Sequence, residues 1–317
     1  MSTASLGEFE LIRRYFAQAD TDASVVLGIG DDCALLAPVA DEVMAVSIDT
    51  LVEGTHFLPG TDPAHLATRL LGASVSDLAA MGARPAWFTL ALTLPDATVE
   101  WVEPFARQLI KTAQSLNIRL IGGDTTKGPL TLTAQVHGFV PADQALRRRC
   151  AHAGDLVCVT GTLGDSRAGL ETLLQAHAPS DDVAYLQQRF YAPSPRVATG
   201  IALRGIASAC ADISDGVLAD LGDLLNETVP GAELYQNQLP LSAELTRFTA
   251  PEQARQWALT GGEDFELVFT CPPEHKEALA SLPDRVTVIG EMSAQPGIRL
   301  DGKPVSGTQG YDHFAGR

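Results

Sequence analysis

The sequence predicts a mixed α/β protein built from two domains. Three observations carry that reading. The chain is 317 residues long, more than one ordinary domain needs and enough for two that each bury a core. Apolar runs of strand length alternate with stretches of helical spacing, in the order β-α-β-α-β-β through the first half and as renewed α/β alternation in the second. Six short clusters of carboxylates beside glycine or hydroxyl residues punctuate the chain, and most follow an apolar run that reads as a strand.

The elements follow in order. Phe9, Leu11, Ile12, Tyr15 and Phe16 give residues 7–18 a helical spacing. Residues 43–48 read as a strand ending at Asp49. Asp62-Pro63 is an N-cap followed by proline at the first helical position, and it opens a helix that runs to about Met81 and stops at Gly82. A strand at 87–94 and a helix at about 99–116 lead to a short buried strand, 118–121, which delivers Gly122-Gly123-Asp124; a longer strand occupies 130–140. Arg147-Arg148-Arg149 precedes a new strand at 156–160, so the domain boundary is placed there, giving domains 1–149 and 150–317. The second half predicts a helix after Gly164, helices through the Tyr185 and Val197 regions, a strand into Asp212, a helix after Gly216, and strands at 266–270 and 286–289. The tail from Gln295 is glycine-rich and ends in Gly310-Tyr311-Asp312-His313-Phe314.

Bulk charge narrows the partners. Net charge is −17, which argues against nucleic acid or an anionic membrane, since both are held by clustered Lys and Arg. Cys33, Cys150, Cys158, Cys210 and Cys271 are odd in number and form no C-x-x-C pair, so reduced thiols and a cytoplasmic location are expected. The first residues lack the pattern of a secretory signal, and no apolar run approaches the roughly 18–20 residues of a membrane helix.

The clusters carry the chemistry. They are Gly28-Ile29-Gly30-Asp31-Asp32, Ser47-Ile48-Asp49-Thr50, Ser74-Val75-Ser76-Asp77, Gly122-Gly123-Asp124-Thr125-Thr126, Asp212-Ile213-Ser214-Asp215-Gly216 and Gly261-Gly262-Glu263-Asp264-Phe265-Glu266. Hard cations such as Mg²⁺ take oxygen ligands, and phosphates take backbone N–H groups and Mg²⁺. Any one cluster would serve as a turn or helix cap; six together point to several Mg²⁺ ions and a nucleotide. Adjacent Asp31 and Asp32 repel unless a cation intervenes. Asp49 is placed at a strand end, where α/β proteins build sites. Asp77 stands late in a helix, where its side chain competes with the backbone. Gly122-Gly123 would let a phosphate approach the main chain, and Ser214 or Asp215 would start a helix whose N-terminus suits an anion. Glu263 is expected to be exposed beside its two glycines. Neither the P-loop nor a complete dinucleotide fingerprint is present, and no protein-kinase or zinc motif occurs.

In this order and spacing the clusters resemble the thiamine-monophosphate kinase family, within the aminoimidazole ribonucleotide synthetase-like ATP-binding superfamily. The resemblance runs from Gly7-Glu8-Phe9 to the C-terminal Gly-Tyr-Asp-His-Phe, and it is carried by Gly-Ile-Gly-Asp-Asp-Cys-Ala, Asp-Thr-Leu-Val-Glu-Gly-Thr-His-Phe (49–57), Asp-Leu-Ala-Ala-Met-Gly-Ala (77–83), Gly-Gly-Asp-Thr-Thr and Gly-Gly-Glu-Asp-Phe-Glu-Leu. It implies a two-domain fold and a homodimer whose N-terminal domains share a β-barrel. It implies ATP-dependent phosphorylation of thiamine monophosphate to thiamine diphosphate. Mg²⁺ ligands would be Asp32, Ser47, Ile48 (through its backbone), Asp49, Asp77, Asp124, Asp212 and Asp215. ATP would meet Gly123, Asp124, Arg148 and Ser214; the thiamine phosphate would meet His56, Glu263 and Tyr311. Asp49, Asp77, Asp124 and Arg148 would carry the transfer. The rival readings are another ATP-using synthetase of the superfamily and a non-catalytic divalent-cation-binding protein. The absence of cysteine from residues 1–27 counts against selenide chemistry, and acids dispersed over more than 230 residues are unlike a compact 12-residue Ca²⁺ loop.

Overall fold

The computed structural model describes residues 7–17, 22–30 and 32–305. The chain forms two compact units, Met1–Leu78 with Arg84–Ala142, and Ala79–Ala83 with Asp143–Arg317.

In the first unit a short helix α1 (Glu8–Leu11) runs into one π-turn (Ile12–Phe16), and β1 (Val25–Leu27) pairs with β2 (Leu35–Leu36). Then follow β3 (Glu42–Val52), α2 (Pro63–Ala80), β4 (Arg84–Leu94), α3 (Val99–Ser115), β5 (Arg119–Lys127) and β6 (Thr131–Pro141). The Asp62 carboxylate accepts the Ala64 N–H at 2.8 Å, so the predicted cap starts α2. The last two residues of α2 belong to the second unit. Strands β3 to β6 make one four-stranded open sheet in the order β3-β6-β4-β5. Alternate residues of β6, Leu132, Ala134 and Val136, are wholly buried, as are Leu66, Leu70, Leu71 and Val75 of α2 and Val102, Phe105 and Leu109 of α3. One sheet face and two helix stripes therefore supply this core. The other face of β3 is different: Val46 and Ile48 are 49% and 60% exposed on an edge strand.

Two expectations about strand ends need correction. Asp49 lies inside the eleven-residue β3, and Gly122-Gly123-Asp124 lies inside β5, which continues to Lys127. The polar clusters interrupt the hydrophobic pattern without interrupting the strands, because β6 pairs with β3 along its whole length and β4 pairs with β5 as far as Lys127. Backbone pairing outweighs the weak strand propensity of Gly and Asp.

The second unit contains β7 (Leu156–Thr160), α4 (Asp165–Leu174), α5 (Asp181–Tyr191), α6 (Val197–Ala202), β8 (Ala209–Asp212), α7 (Val217–Gly222), β9 (Gly231–Leu234), α8 (Ala243–Phe248), α9 (Pro251–Thr260), β10 (Leu267–Cys271), β11 (Val286–Ser293), β12 (Gly297–Leu300) and β13 (Lys303–Pro304). Its strands form one seven-stranded sheet in the order β13-β12-β9-β11-β7-β10-β8, antiparallel except for β12 against β9. Both faces are covered. Val157, Val159, Ala211 and Val268 face one core cluster; Cys158, Cys210, Phe269 and Cys271 face the other. That explains why these strands read as continuous apolar runs.

Paired glycines separate two demands on β5. A Cβ at Gly123 would lie 2.0 Å from the Leu90 carbonyl oxygen, whereas at Gly122 the nearest atom is a Thr89 methyl at 4.0 Å. Gly123 is therefore required by strand pairing itself, and Gly122 has room in front of it. Gly123→Ala should lower unfolding free energy by about 1–3 kcal/mol, the usual cost of overpacking, while Gly122→Ala should be close to wild type; urea denaturation of both variants measures the difference.

Candidate active site

The first concentration of site residues lies where β3 meets α2. Ser47 and Asp49 are two apart on a strand and share a face; Ser74 and Asp77 are three apart on a helix and share a face. The Ser47 hydroxyl donates to the Asp77 carboxylate in a short contact. Burial pushes the Asp49 carboxyl up to about 6; the neighbouring charge of Asp77 adds to the rise and the Ser74 hydroxyl opposes it. Two carboxylates and two hydroxyls are hard oxygen donors, and each acid makes the other's charge more costly. Mg²⁺ would relieve that cost, so the donor set fits the ion the sequence implied. Ile48 presents its side chain on the opposite, exposed face.

The Gly123 and Asp124 pair stands on the far edge of the same sheet. The register runs Asp49–Ala134–Leu90–Gly123 across the four strands. Three interstrand spacings, at most roughly 14 Å, separate Asp49 from this level of β5. Beside Gly122, Gly123, Asp124 and Thr125 opens a small, shallow crevice, walled by Ile12, Phe16, Ile29, Leu90 and Leu120. Its apolar wall and adjacent glycine strand suit a flat heterocycle with phosphates attached. His56 accepts the Val52 N–H through Nδ1 at 3.0 Å, which leaves Nε2 as the protonated nitrogen of the neutral ring. Asp32 is exposed in the bend between β1 and β2. Among the described residues no three His, Cys, Asp or Glu side chains gather as a metal-binding group.

The second unit brings together Asp212, Ser214, Asp215 and Glu263. Asp212 ends β8, buried and opposite Leu267 of β10. The Glu263 N–H donates to the Ser214 carbonyl at 2.7 Å and the Phe265 N–H to the Ile213 carbonyl at 2.9 Å, so two of the clusters are laced together by backbone. The helix after Asp212-Ile213-Ser214-Asp215-Gly216 is capped in an unexpected way. Neither Ser214 nor Asp215 is its N-cap; Gly216 is, at φ +112°, with no side-chain cap bond. Asp220, one turn on, accepts the N–H groups of Asp215 and Gly216, both at 3.0 Å. Burial pushes the Asp220 carboxyl up to about 7, with backbone donors opposing and Asp212 and Asp215 adding. Glu263 is partly buried and left-handed at φ +57°, which corrects the expectation of a fully exposed side chain. Arg148 is half exposed and ion-paired through Nη1 with Asp223. Tyr311 lies outside the described residues.

Sequence reading passed over Asp220, and it named Ser74, Asp264 and Glu266 only as members of clusters, without a role. Asp264 and Glu266 alternate with Glu263 just before the apolar β10, a period-two signal for one inward face. Asp220 had no such signal, because one acid in a short helix reads as surface.

Comparison with known proteins gives the family. Residues 30–140 match the AIR synthase related protein N-terminal domain and residues 152–303 its C-terminal domain; the class is thus the two-domain AIR synthase related fold. Thiamine-monophosphate kinase of Escherichia coli (strain K12) is 49% identical over 98% of each chain. Among solved structures, thiamine-monophosphate kinase from Stenotrophomonas maltophilia K279a aligns with a TM-score of 0.86 at 41% identity, covering 95% of this chain and 99% of that one. AaThiL complexed with AMPPCP and TMP aligns with a TM-score of 0.80 at 31% identity, covering 99% and 100%. The chain belongs to the thiamine-monophosphate kinase family.

An acid whose folded pKa lies above its unfolded value opposes folding once ionised. For Asp49 the penalty is absent below about pH 4 and complete above about 6. Metal-free Asp49→Asn should therefore have a higher thermal midpoint than metal-free wild type at pH 7, with the gap closing toward pH 4. Scanning calorimetry in EDTA checks this; a lower midpoint for the variant at pH 7 would mean a cationic partner already holds Asp49.

Proposed function

We propose that this chain transfers the γ-phosphoryl group of ATP to the phosphate of thiamine monophosphate, giving thiamine diphosphate and ADP, the last step in making that cofactor. Full-length identity of 49% to a thiamine-monophosphate kinase is the observation that carries the reading, and the paired acids Asp49 and Asp77 support it. The acceptor is a phosphate monoester with a second pKa of about 6, largely dianionic at neutral pH. It needs no base, and the barrier is repulsion between two anions. The residues answer that need: they hold cations, donate to phosphate and keep the reacting groups in line.

In the first unit, Asp32, Ser47, the Ile48 backbone, Asp49, Asp77 and Asp124 would hold Mg²⁺; in the second, Asp212 and Asp215 would. Bound Mg²⁺ supplies charge neutralisation for the polyphosphate. The apolar crevice beside Gly122 and Gly123 takes the base of ATP, and Ser214 and Arg148 take its phosphates. Pairing with Asp223 engages one nitrogen of Arg148 and orients the rest of its fork. His56 donates from Nε2 to the thiamine phosphate. Glu263 offsets the thiazolium cation, and Tyr311 offers it an aromatic face. Residues 1–149 are the ATP, Mg²⁺ and dimerisation domain and residues 150–317 complete the substrate site. The protein works in the cytoplasm; no helix among the described residues is long and apolar enough to cross a membrane, and all five cysteines are free thiols.

A homodimer with a shared barrel is supported by β3. An edge strand with Met44, Val46 and Ile48 exposed on one face invites a second sheet, because exposed apolar edges are otherwise an aggregation hazard.

Purified protein should release ADP only when thiamine monophosphate and Mg²⁺ are both present. Asp49→Asn, Asp77→Asn and Asp124→Asn should each lower kcat by on the order of 10²-fold or more, with Asp41→Asn and Asp181→Asn near wild type. Coupled ADP assays decide it: activity that survives EDTA, or that ignores thiamine monophosphate, ends the proposal.

Val46→Glu should move the protein from dimer to monomer in sedimentation velocity. An unchanged sedimentation coefficient would place the dimer interface away from β3.

A further inference from the structure

Residues 261–266 gather several positive φ angles in one short segment. Gly262, Glu263 and Phe265 sit at φ +65°, +57° and +50°. Glycine adopts this region freely, but Glu and Phe do not, and such residues persist only where their surroundings over-determine them. Here the surroundings are two buried carboxylates that flank Phe265. Asp264, 2% exposed, accepts the Gly164 N–H at 2.7 Å and the Ser166 N–H at 3.2 Å, the amides that open α4. Glu266, fully buried, accepts from Arg196 Nε and Nη2, both at 2.6 Å, from Arg189 Nη2 at 2.8 Å and from Thr160 Oγ1 at 2.6 Å.

The neighbouring loop is shaped to receive them. A Cβ at Gly161 would lie 2.2 Å from a Glu266 carboxylate oxygen, and one at Gly164 would lie 2.7 Å from the Ala258 backbone nitrogen. Glu263 and Phe265 then donate their N–H groups to Ser214 and Ile213, and Ile213 donates to the Glu266 carbonyl at 2.8 Å. The strained segment is clamped on one side by side-chain anchors and laced on the other to the loop that carries Asp212, Ser214 and Asp215.

We propose that Asp264 is a positioning residue for the substrate: by gathering the two amides at the start of α4 it fixes the left-handed backbone of Glu263 and so aims that carboxylate at the thiazolium ring of thiamine monophosphate. This rests on the reading that Glu263 meets the substrate. A structural role alone does not account for the choice of residue. Burial pushes the Asp264 carboxyl up to about 7 against the help of Gly164, Arg189 and Ser166, so ionised Asp264 costs the fold stability. What it supplies is a second acceptor oxygen, and with it a fixed geometry that asparagine cannot reproduce: the asparagine side chain has one acceptor and would turn an N–H toward an N–H.

The test is steady-state kinetics on the full chain with ATP, Mg²⁺ and thiamine monophosphate. Asp264→Asn should raise KM for thiamine monophosphate about 10-fold and leave KM for ATP within about twofold, the pattern of lost substrate binding. Glu263→Gln should do the same. Because Asp264 acts through Glu263, the double variant should be no worse than Glu263→Gln alone. An Asp264→Asn protein with a lower thermal midpoint and unchanged KM, or effects that multiply in the double variant, would overturn the proposal. If Glu263→Gln itself leaves KM unchanged, the reading of Glu263 fails and the proposal with it, by a result that does not depend on Asp264. Should Asp264→Asn not fold, amide exchange of wild type decides. Without substrate, the Glu263 and Phe265 amides should be protected as strongly as those of β10; exchange at exposed-loop rates would overturn a preset geometry.

Discussion

Removing a carboxylate from water is the constraint on which this molecule turns. Every buried acid must be met by something, and three arrangements show the range. Asp264 and Asp220 take backbone N–H groups. Glu266 takes two guanidinium groups. Asp49 takes a serine hydroxyl and faces another acid. The first two arrangements are settled within the fold and make rigid walls. The third leaves a buried acid beside a second acid, and repulsion between them raises the cost of its charge.

Rigidity and ligand demand are thus divided among acids of one type. Glu266 with Arg189 and Arg196 shows the structural extreme: its charge is compensated, its position is fixed by four donor contacts, and losing one partner would strand buried charge. Asp49 and Asp77 show the other extreme, in which a neighbouring acid adds to the cost of burial. That accords with the general observation that perturbed carboxyls concentrate at functional sites, while also showing why perturbation alone does not identify them: Asp220 and Asp264 are raised as far as Asp49 or further.

The sheets add a second theme. The four-stranded sheet places its acids on its two outer strands, Asp49 on β3 and Asp124 on β5. Outer strands have unpaired edges and solvent beside them, so polar residues and glycines can interrupt the apolar pattern there. The inner strand β6 alternates from Thr131 to His137, with Leu132, Ala134 and Val136 buried.

Much was legible in the sequence because it depends on near neighbours. Asp62-Pro63 opened α2, apolar spacing gave α3, and Gly-Asp clusters flagged loops and strands with unusual contents. Strand limits at Asp49 and Asp124 were misjudged because propensity is local while pairing is not. The residue types in order sufficed to name a family and a cation-and-phosphate chemistry, since those depend on which atoms are present. Only the tertiary structure decided which acids are anchored, and by which donors. Asp264 and Glu263 are adjacent in sequence, yet one is sealed against Gly164 and Ser166 and the other stands beside Ser214; a carboxylate's role follows from what reaches it from about 50 to 100 residues away, because charge compensation is a property of space and not of sequence.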